Sequence, residues 1–280
     1  MADPSPSSAF AGQVALIATM HGKQAALAPA LEALGFTVRV ADGLDTDLFG
    51  TFSGEVERAG TMLDAARAKV RAASTIHADA HWVFASEGAF GPSPAVPMLA
   101  EAKELILAWR ALDLLEVKTM RASFETNFAH IEDPGPEALD GFLERAGFPS
   151  HAVIVKTGGS VAAKGVQDRA ALKTIIAGAK GPVRVETDMR AHLNPTRMGE
   201  IAKAGEDLAR RLATPCPACA APGFGLVSVI RGLPCSACGT PTDRVIAEIH
   251  ACPACGHEAR TPRADGQTAA DPGECPLCNP

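Results

Sequence analysis

The sequence lacks any unbroken apolar run of the ~18–20 residues that a helix needs to cross a bilayer, which excludes a spanning helix. The opening Met1-Ala-Asp-Pro-Ser-Pro-Ser-Ser8 has neither the cationic start nor the apolar stretch of a secretory signal, so the expected home is the cytoplasm. Cysteines there stay reduced, and paired thiols read as metal ligands before they read as disulfides. Positive charge is not in excess: 26 Lys and Arg stand against 32 Asp and Glu, a net charge of −6. That balance gives no sign of a general nucleic-acid or anionic-membrane partner. Tyrosine is absent altogether, a bias that points to no function.

What is present suits a globular protein. The 280 residues are 47% hydrophobic and 21% charged, enough for a large domain followed by a small one. The reading is a disordered segment over 1–12, an α/β domain over 13–213 and a zinc-ribbon domain over 214–280.

All eight cysteines lie in the last part, as four Cys-x-x-Cys pairs: Cys216/Cys219, Cys235/Cys238, Cys252/Cys255 and Cys275/Cys278. Two intervening residues let a tight knuckle aim both sulfurs at one ion, and Zn²⁺ favours four thiolates in a tetrahedron. The gaps from Cys219 to Cys235 and from Cys255 to Cys275 both fall within the zinc spacing range. Two structural Zn²⁺ ions, each in a four-cysteine site, follow. A sequential pairing of knuckles, first with second and third with fourth, is expected over a nested one. Redox dithiols are the competitor, but Pro217, Pro234, Pro253 and Pro276 keep these pairs in turns rather than at helix starts.

From Thr214 onward there are four arginines, no lysine, six carboxylates and Phe224 as the one ring suited to stacking on a base. With eight thiolates and two divalent ions the module is acidic, which disfavours nucleic acid and leaves scaffolding or a protein partner. Large apolar residues are scarce there, so metal binding must supply what the thin core lacks.

The first two-thirds read as alternating strands and helices, a mixed α/β sheet flanked by helices. Strands are expected at Val14–Thr19, Phe36–Val40, Trp82–Ala85, Ala152–Lys156 and Val183–Glu186, with a hairpin about Leu112–Asp113. Helices are expected from the capping box Thr61/Asp64, over Glu137–Ala146, Asp168–Ala179 and Thr196–Leu212, and in a stretch kinked or divided by Pro29. Ligands of such folds gather in loops beyond the strand ends. Thr19-Met-His21-Gly-Lys23 offers a hydroxyl, an imidazole and a cation that suit phosphate. Glu55 and Glu57 share one face if extended, Glu87 sits in a Gly-bounded turn, and Glu186 and Asp188 repeat the period of two. Arg190, Asn194 and Arg197 follow. Convergent carboxylates suit Mg²⁺; the alternative is an Arg–carboxylate network that fixes loops.

The strings Thr46-Asp-Leu-Phe-Gly-Thr-Phe-Ser-Gly-Glu55, Ala85-Ser-Glu-Gly-Ala-Phe-Gly-Pro92, Thr126-Asn-Phe128 and Glu186-Thr-Asp-Met-Arg-Ala-His-Leu-Asn-Pro-Thr-Arg-Met198 resemble an uncharacterised bacterial domain-of-unknown-function family with a zinc-ribbon tail, the DUF6671-type group. The resemblance extends over nearly the whole chain and implies no established activity. Over the first third, Ala18-Thr-Met-His-Gly-Lys23, Gly60-Thr-Met-Leu-Asp-Ala-Ala-Arg-Ala-Lys69 and Ser86-Glu-Gly88 are similar in order to house-cleaning nucleoside triphosphate pyrophosphatases. That likeness implies phosphate binding by Lys23 and a metal or water role for Glu87. His21 and Ser86-Glu87 depart from its asparagine and paired aspartates.

The leading functional expectation is a Mg²⁺-dependent hydrolase of a nucleotide or other phosphate compound. Glu87, Glu186 and Asp188 would be catalytic, and Thr19, His21, Lys23, Arg190, Asn194 and Arg197 would bind substrate. The alternative is a non-enzymatic protein that docks a partner through its zinc module.

Overall fold

A computed structural model describes residues 10–50, 58–263 and 265–280. Glu55 and Glu57, and most of the segment expected to be disordered, lie outside the described residues. The chain divides into two compact units, Met1–Ala209 and Arg210–Pro280, within four residues of the boundary expected from composition.

The first unit holds two sheets. Strands β1 (Val14–Ala18), β2 (Thr37–Val40), β3 (Trp82–Pro92), β4 (Ala100–Arg110) and β5 (Leu115–Ser123) form one in the order β2-β1-β3-β4-β5. β1 pairs in parallel with β2 and β3, while β3-β4-β5 is an antiparallel meander whose second turn is the hairpin at Leu112–Asp113. Two helices of this region are α1 (Gln24–Glu32), which carries Pro29 inside it undivided, and α2 (Met62–Ile76). The capping box is formed: Thr61 Oγ1 accepts from the Asp64 amide, and the Asp64 carboxylate accepts from the Thr61 amide.

α2 covers one face of this sheet, packing Ala66, Val70 and Ala73 against Leu16, Val83, Ala85, Leu105 and Leu107. Strand alternation sends Trp82 and Phe84 to the other face, where they meet Phe36 and Phe10. Phe10 is buried, so order reaches into the stretch assigned to the tail. On the same chain α5 (Pro195–Leu212) places Gly205 against Leu27 of α1.

The second sheet, β6 (His130–Glu132), β9 (Val183–Thr187), β7 (Val153–Thr157) and β8 (Ser160–Val166), is antiparallel throughout. It buries Val153, Val155 and Val185 against Leu139, Phe142 and Leu143 of α3 (Pro136–Ala146) and Leu172 of α4 (Arg169–Ala177).

One strand differs from expectation in a way that matters. The run Ser86-Glu-Gly-Ala-Phe-Gly91 reads as a turn because of its glycines, yet β3 continues to Pro92. Its partner β4 faces every residue from Trp82 to Pro92 across the antiparallel ladder. β3 therefore outruns β1, whose pairing with it stops at Ala18 opposite Ala85. Glu87 projects from strand backbone beyond the end of the parallel pair.

The second unit contains an antiparallel sheet of β10 (Gly225–Arg231), β11 (Val245–Ala251) and β12 (Glu258–Pro262), with Cys235/Cys238 and Cys252/Cys255 in its two turns and the other two knuckles before β10 and after β12. Among the described residues, no helix is long and apolar enough to cross a membrane.

Candidate functional site

The cysteines form two four-sulfur groups, and the grouping is neither sequential nor nested. Cys216 and Cys219 join Cys252 and Cys255, while Cys235 and Cys238 join Cys275 and Cys278, each set with all its sulfurs within 4.8 Å of one another. The cause is the sheet. Gly225 at the start of β10 lies opposite Ala251 at the end of β11, so the knuckles that precede β10 and follow β11 meet at one end. Arg231 and Val245 bracket the second knuckle at the other end, and β12, antiparallel to β11, returns the chain to it. Each seven-residue strand carries the chain roughly 20 Å. Successive knuckles therefore alternate between ends, and spacing alone carries no record of that.

Three of the four knuckles share one hydrogen-bond pattern. The amides of Ala218, Ala237 and Ala254 donate to Cys216, Cys235 and Cys252 Sγ, each at 3.4 Å. Four residues after the first cysteine the backbone turns left-handed, at Ala220 (φ 59°), Gly239 (75°) and Gly256 (72°). Glycine accepts that conformation without strain, whereas Ala220 holds it against its own Cβ. Hydrogen bonding with the Thr240 side chain and backbone lowers the pKa of Cys238 to about 6, while the bond to Cys238 raises that of Cys278 to about 12.

In the first unit a second constellation gathers where β3 leaves β1 behind. Lys23, just before α1, donates from Nζ to Ser86 O at 3.1 Å and is only 6% exposed. Glu87, on the α2 face of β3, has Lys69 Nζ 2.5 Å from Oε1 and Arg58 Nη2 3.2 Å from Oε2. Arg58 also donates to Gly88 O at 2.7 Å. Glu87 Oε1 lies off the hydrogen-bonding axis of the Lys69 ammonium; at 2.5 Å the two charges are nonetheless paired. On the opposite face Arg197 Nε donates to Glu104 Oε1 at 2.7 Å, its guanidinium lies over the Phe90 ring, and Nη1 donates to Met189 O. Gly88 lies beneath: a Cβ there would stand 2.6 Å from Arg197 Nη2 and 2.8 Å from Glu104 Oε1.

Four cations thus surround two carboxylates in a buried place, leaving two positive charges when Lys23 is protonated. Burial first, then the charges of Arg197 and Lys69, lowers Lys23 to about 7. His21, whose amide donates to Thr19 Oγ1, stacks its ring on His192 with centroids 5.1 Å apart.

The cluster brings together Lys23, Glu87 and Arg197 from the sequence reading, with Thr19 and His21 on the same loop. Glu186, Asp188 and Arg190 are held elsewhere. Glu186 pairs with Lys156 at 2.7 Å and Arg184 at 3.0 Å on the second sheet. Asp188, fully buried, accepts from Arg190 Nη2 at 2.6 Å and from the Gly165 amide at 3.1 Å. Asn194 bridges the loop, donating to Asn127 Oδ1 and Asp188 O while its Oδ1 accepts from the Arg197 amide.

Sequence reasoning missed Arg58, Lys69 and Glu104 as site residues. Two of them left a signal. Lys69 falls on the buried stripe of α2 with Ala66 and Ala73, and Glu104 falls on the alternation Ala102, Ile106, Ala108 that faces inward from β4. A charge in an apolar stripe marks a buried ion pair.

A family described as a domain of unknown function, DUF6671, matches residues 72–280. No curated protein matches the chain. The matched stretch holds all eight cysteines together with Glu87, Glu104 and Arg197, and begins after Lys23, Arg58 and Lys69, so it is shorter than the near-complete span expected from the sequence strings. With two four-cysteine groups of zinc-ribbon type inside a match that spans well over half its length, the chain belongs to the DUF6671 family.

Proposed function

We propose that each four-cysteine group holds one structural Zn²⁺ and that the unit Met1–Ala209 binds a phosphate-bearing small molecule at the Lys23 cluster. The sulfur spacing supports the metal. Zn–S bonds of about 2.3 Å arranged tetrahedrally put neighbouring sulfurs about 3.8 Å apart. The Cys216–Cys255 and Cys219–Cys252 distances are 3.8 and 3.7 Å, and those of Cys235–Cys278 and Cys238–Cys275 are 3.9 and 3.6 Å. A disulfide would need about 2.05 Å. Four thiolates leave no coordination position for water, so the ion organises the fold rather than activating a substrate.

One observation carries the phosphate reading: Lys23 Nζ is buried near Lys69 and Arg197, engages one carbonyl, and stands beyond the C-terminal end of the parallel strand pair. Uncompensated charge in such a place is costly, and an oxyanion would offset it. Arg58, with its side chain 26% exposed, stands on Glu87, and the half-buried His21 lies on the Lys23 loop. Thermal shift of the zinc-replete protein against phosphate, pyrophosphate and nucleotides is the test. Stabilisation by at least one of them, weakened at least tenfold in affinity by Arg58→Met, is expected. No shift with any at millimolar concentration removes the reading.

Mg²⁺-dependent hydrolysis draws less support from the geometry. Among the described residues, Glu87, Glu186 and Asp188 are each engaged by one or more cations, and the only groups with metal-ligand geometry are the two cysteine sets. The docking alternative draws on β10, an edge strand that exposes Leu226, Val227 and Val229. Val227→Lys leaving the protein's association state unchanged would count against it.

A further inference from the structure

Lys23 differs from its three cationic neighbours in how its charge is met. Arg197 has Glu104, and Arg58 and Lys69 share Glu87. Among the described residues Lys23 has no carboxylate within ion-pair distance; its ammonium group has the Ser86 carbonyl alone. An ammonium carries three N–H groups, so two find no acceptor in this buried position, whereas a neutral amine needs fewer.

We infer that anion binding at this cluster is coupled to uptake of one proton by Lys23 Nζ, so that affinity falls as pH rises above neutrality. The inference rests on the phosphate-binding reading and adds to it a protonation step. In the free protein the amine donates one N–H to Ser86 O, and its lone pair faces a site crowded with positive charge. An arriving oxyanion supplies both the missing acceptor and a compensating charge. A proton from solvent then moves to the lone pair, and the resulting ammonium donates to the anion.

The groups facing Lys23 restrict the assignment. Among the described residues, from α2 comes Lys69, from β3 Glu87, from β4 Glu104, and from α5 Arg197; Arg58 pairs with the other oxygen of Glu87. Arginines stay protonated throughout the working range, and Lys69 already has a carboxylate partner 2.5 Å away. His21, on the Lys23 loop, and His192, stacked on it, are other groups able to exchange protons, and they require a control. The depressed proton affinity of Lys23, to about 7, agrees with the geometry.

The test uses sulfate, a dianion that does not itself titrate between pH 6 and 9. Calorimetric titration of the full-length, zinc-replete protein in two buffers of different ionisation enthalpy counts the protons taken up. Close to one proton per sulfate is expected at pH 8.5, falling towards zero at pH 6, with affinity dropping about tenfold per pH unit above about 7. His21→Asn/His192→Asn should keep that uptake at pH 8.5. Lys23→Met should lose it, and Lys23→Arg should bind with no pH dependence over this range. Independently, ¹³C NMR of the Lys23 Cε in the sulfate-free protein should show a midpoint near 7. A midpoint near that of an ordinary lysine overturns the inference whatever sulfate does. Sulfate binding without proton uptake overturns it and leaves the phosphate reading standing. A midpoint near 7 with no binding of sulfate at pH 6 overturns the coupling together with the anion site.

Discussion

Arg197 Nε donates to Glu104 Oε1 across 2.7 Å, with the two side chains 1% and 2% exposed. The contact joins a residue near the start of α5 to the inward-facing row of β4, 93 residues away. Truncating one member of a buried pair strands the other charge, at a cost of about 3–5 kcal/mol. Glu104→Gln is therefore expected to lower the unfolding free energy by that order, and Arg197→Met by a similar amount. Replacing both, as Glu104→Leu with Arg197→Met, should recover part of the loss, since no charge is then left alone. Urea denaturation of the four proteins gives the cycle. Gly88 lies against both partners, and Gly88→Ala should cost about 1–3 kcal/mol because its Cβ would displace them.

The interleaved cysteine grouping makes its own forecast. Cys216 and Cys255 lie in one four-sulfur group although a full strand pair separates them in sequence; Cys216 and Cys235 lie in different groups. Cys216→Ser/Cys255→Ser should retain about one zinc per chain, and Cys216→Ser/Cys235→Ser should retain almost none. Sequential grouping gives the reverse. Metal content of freshly purified, reduced protein, measured by plasma emission, decides between them. Because structural zinc contributes on the order of 10–16 kcal/mol in small peptides, loss of both ions should unfold the 210–280 unit, visible as collapse of its amide dispersion.

How much of this is legible in the sequence follows from where each signal resides. The cysteine ligands are visible because chemistry and spacing are both local. Their partnering is not, because it depends on which strand ends meet, and the local sequences of β10, β11 and β12 carry no record of that. The capping box at Thr61 and Asp64 and the hairpin at Leu112–Asp113 are readable, since turn and cap chemistry lies within a few residues. Glu87 reads as a turn residue because Gly88 and Gly91 look like breakers. Gly88 serves instead to let Arg197 and Glu104 approach a continuous strand, a requirement set by residues 16 and 109 positions onward. Carboxylates at Glu186 and Asp188 look free for metal in the sequence because their cations, Lys156 on the neighbouring strand, Arg184 two residues earlier on the same strand and Arg190 folded back, are fixed by register, side-chain direction and loop shape.

Lys23 also links stability to pH, and the sign follows from the direction of its shift. Its folded-state value, about 7, lies below the unfolded-chain value of about 10.5. Between those limits the unfolded chain holds a proton that the folded protein does not, so this group makes stability rise with pH across the window. Below about 7 both states are protonated and the full cost of burying the ammonium is present. Lys23→Met removes the charge and keeps most of the side-chain volume. The variant is accordingly expected to be more stable than the parent at pH 6, by at most about 5 kcal/mol for a shift of this size. The difference should shrink by about 1.4 kcal/mol per pH unit above about 7 and be nearly gone at pH 10. Comparing parent and variant at each pH cancels the contributions of cysteine and other carboxylate titrations. Urea midpoints at pH 6, 8 and 10 measure the trend; a difference independent of pH would show that Lys23 keeps its proton in the folded protein.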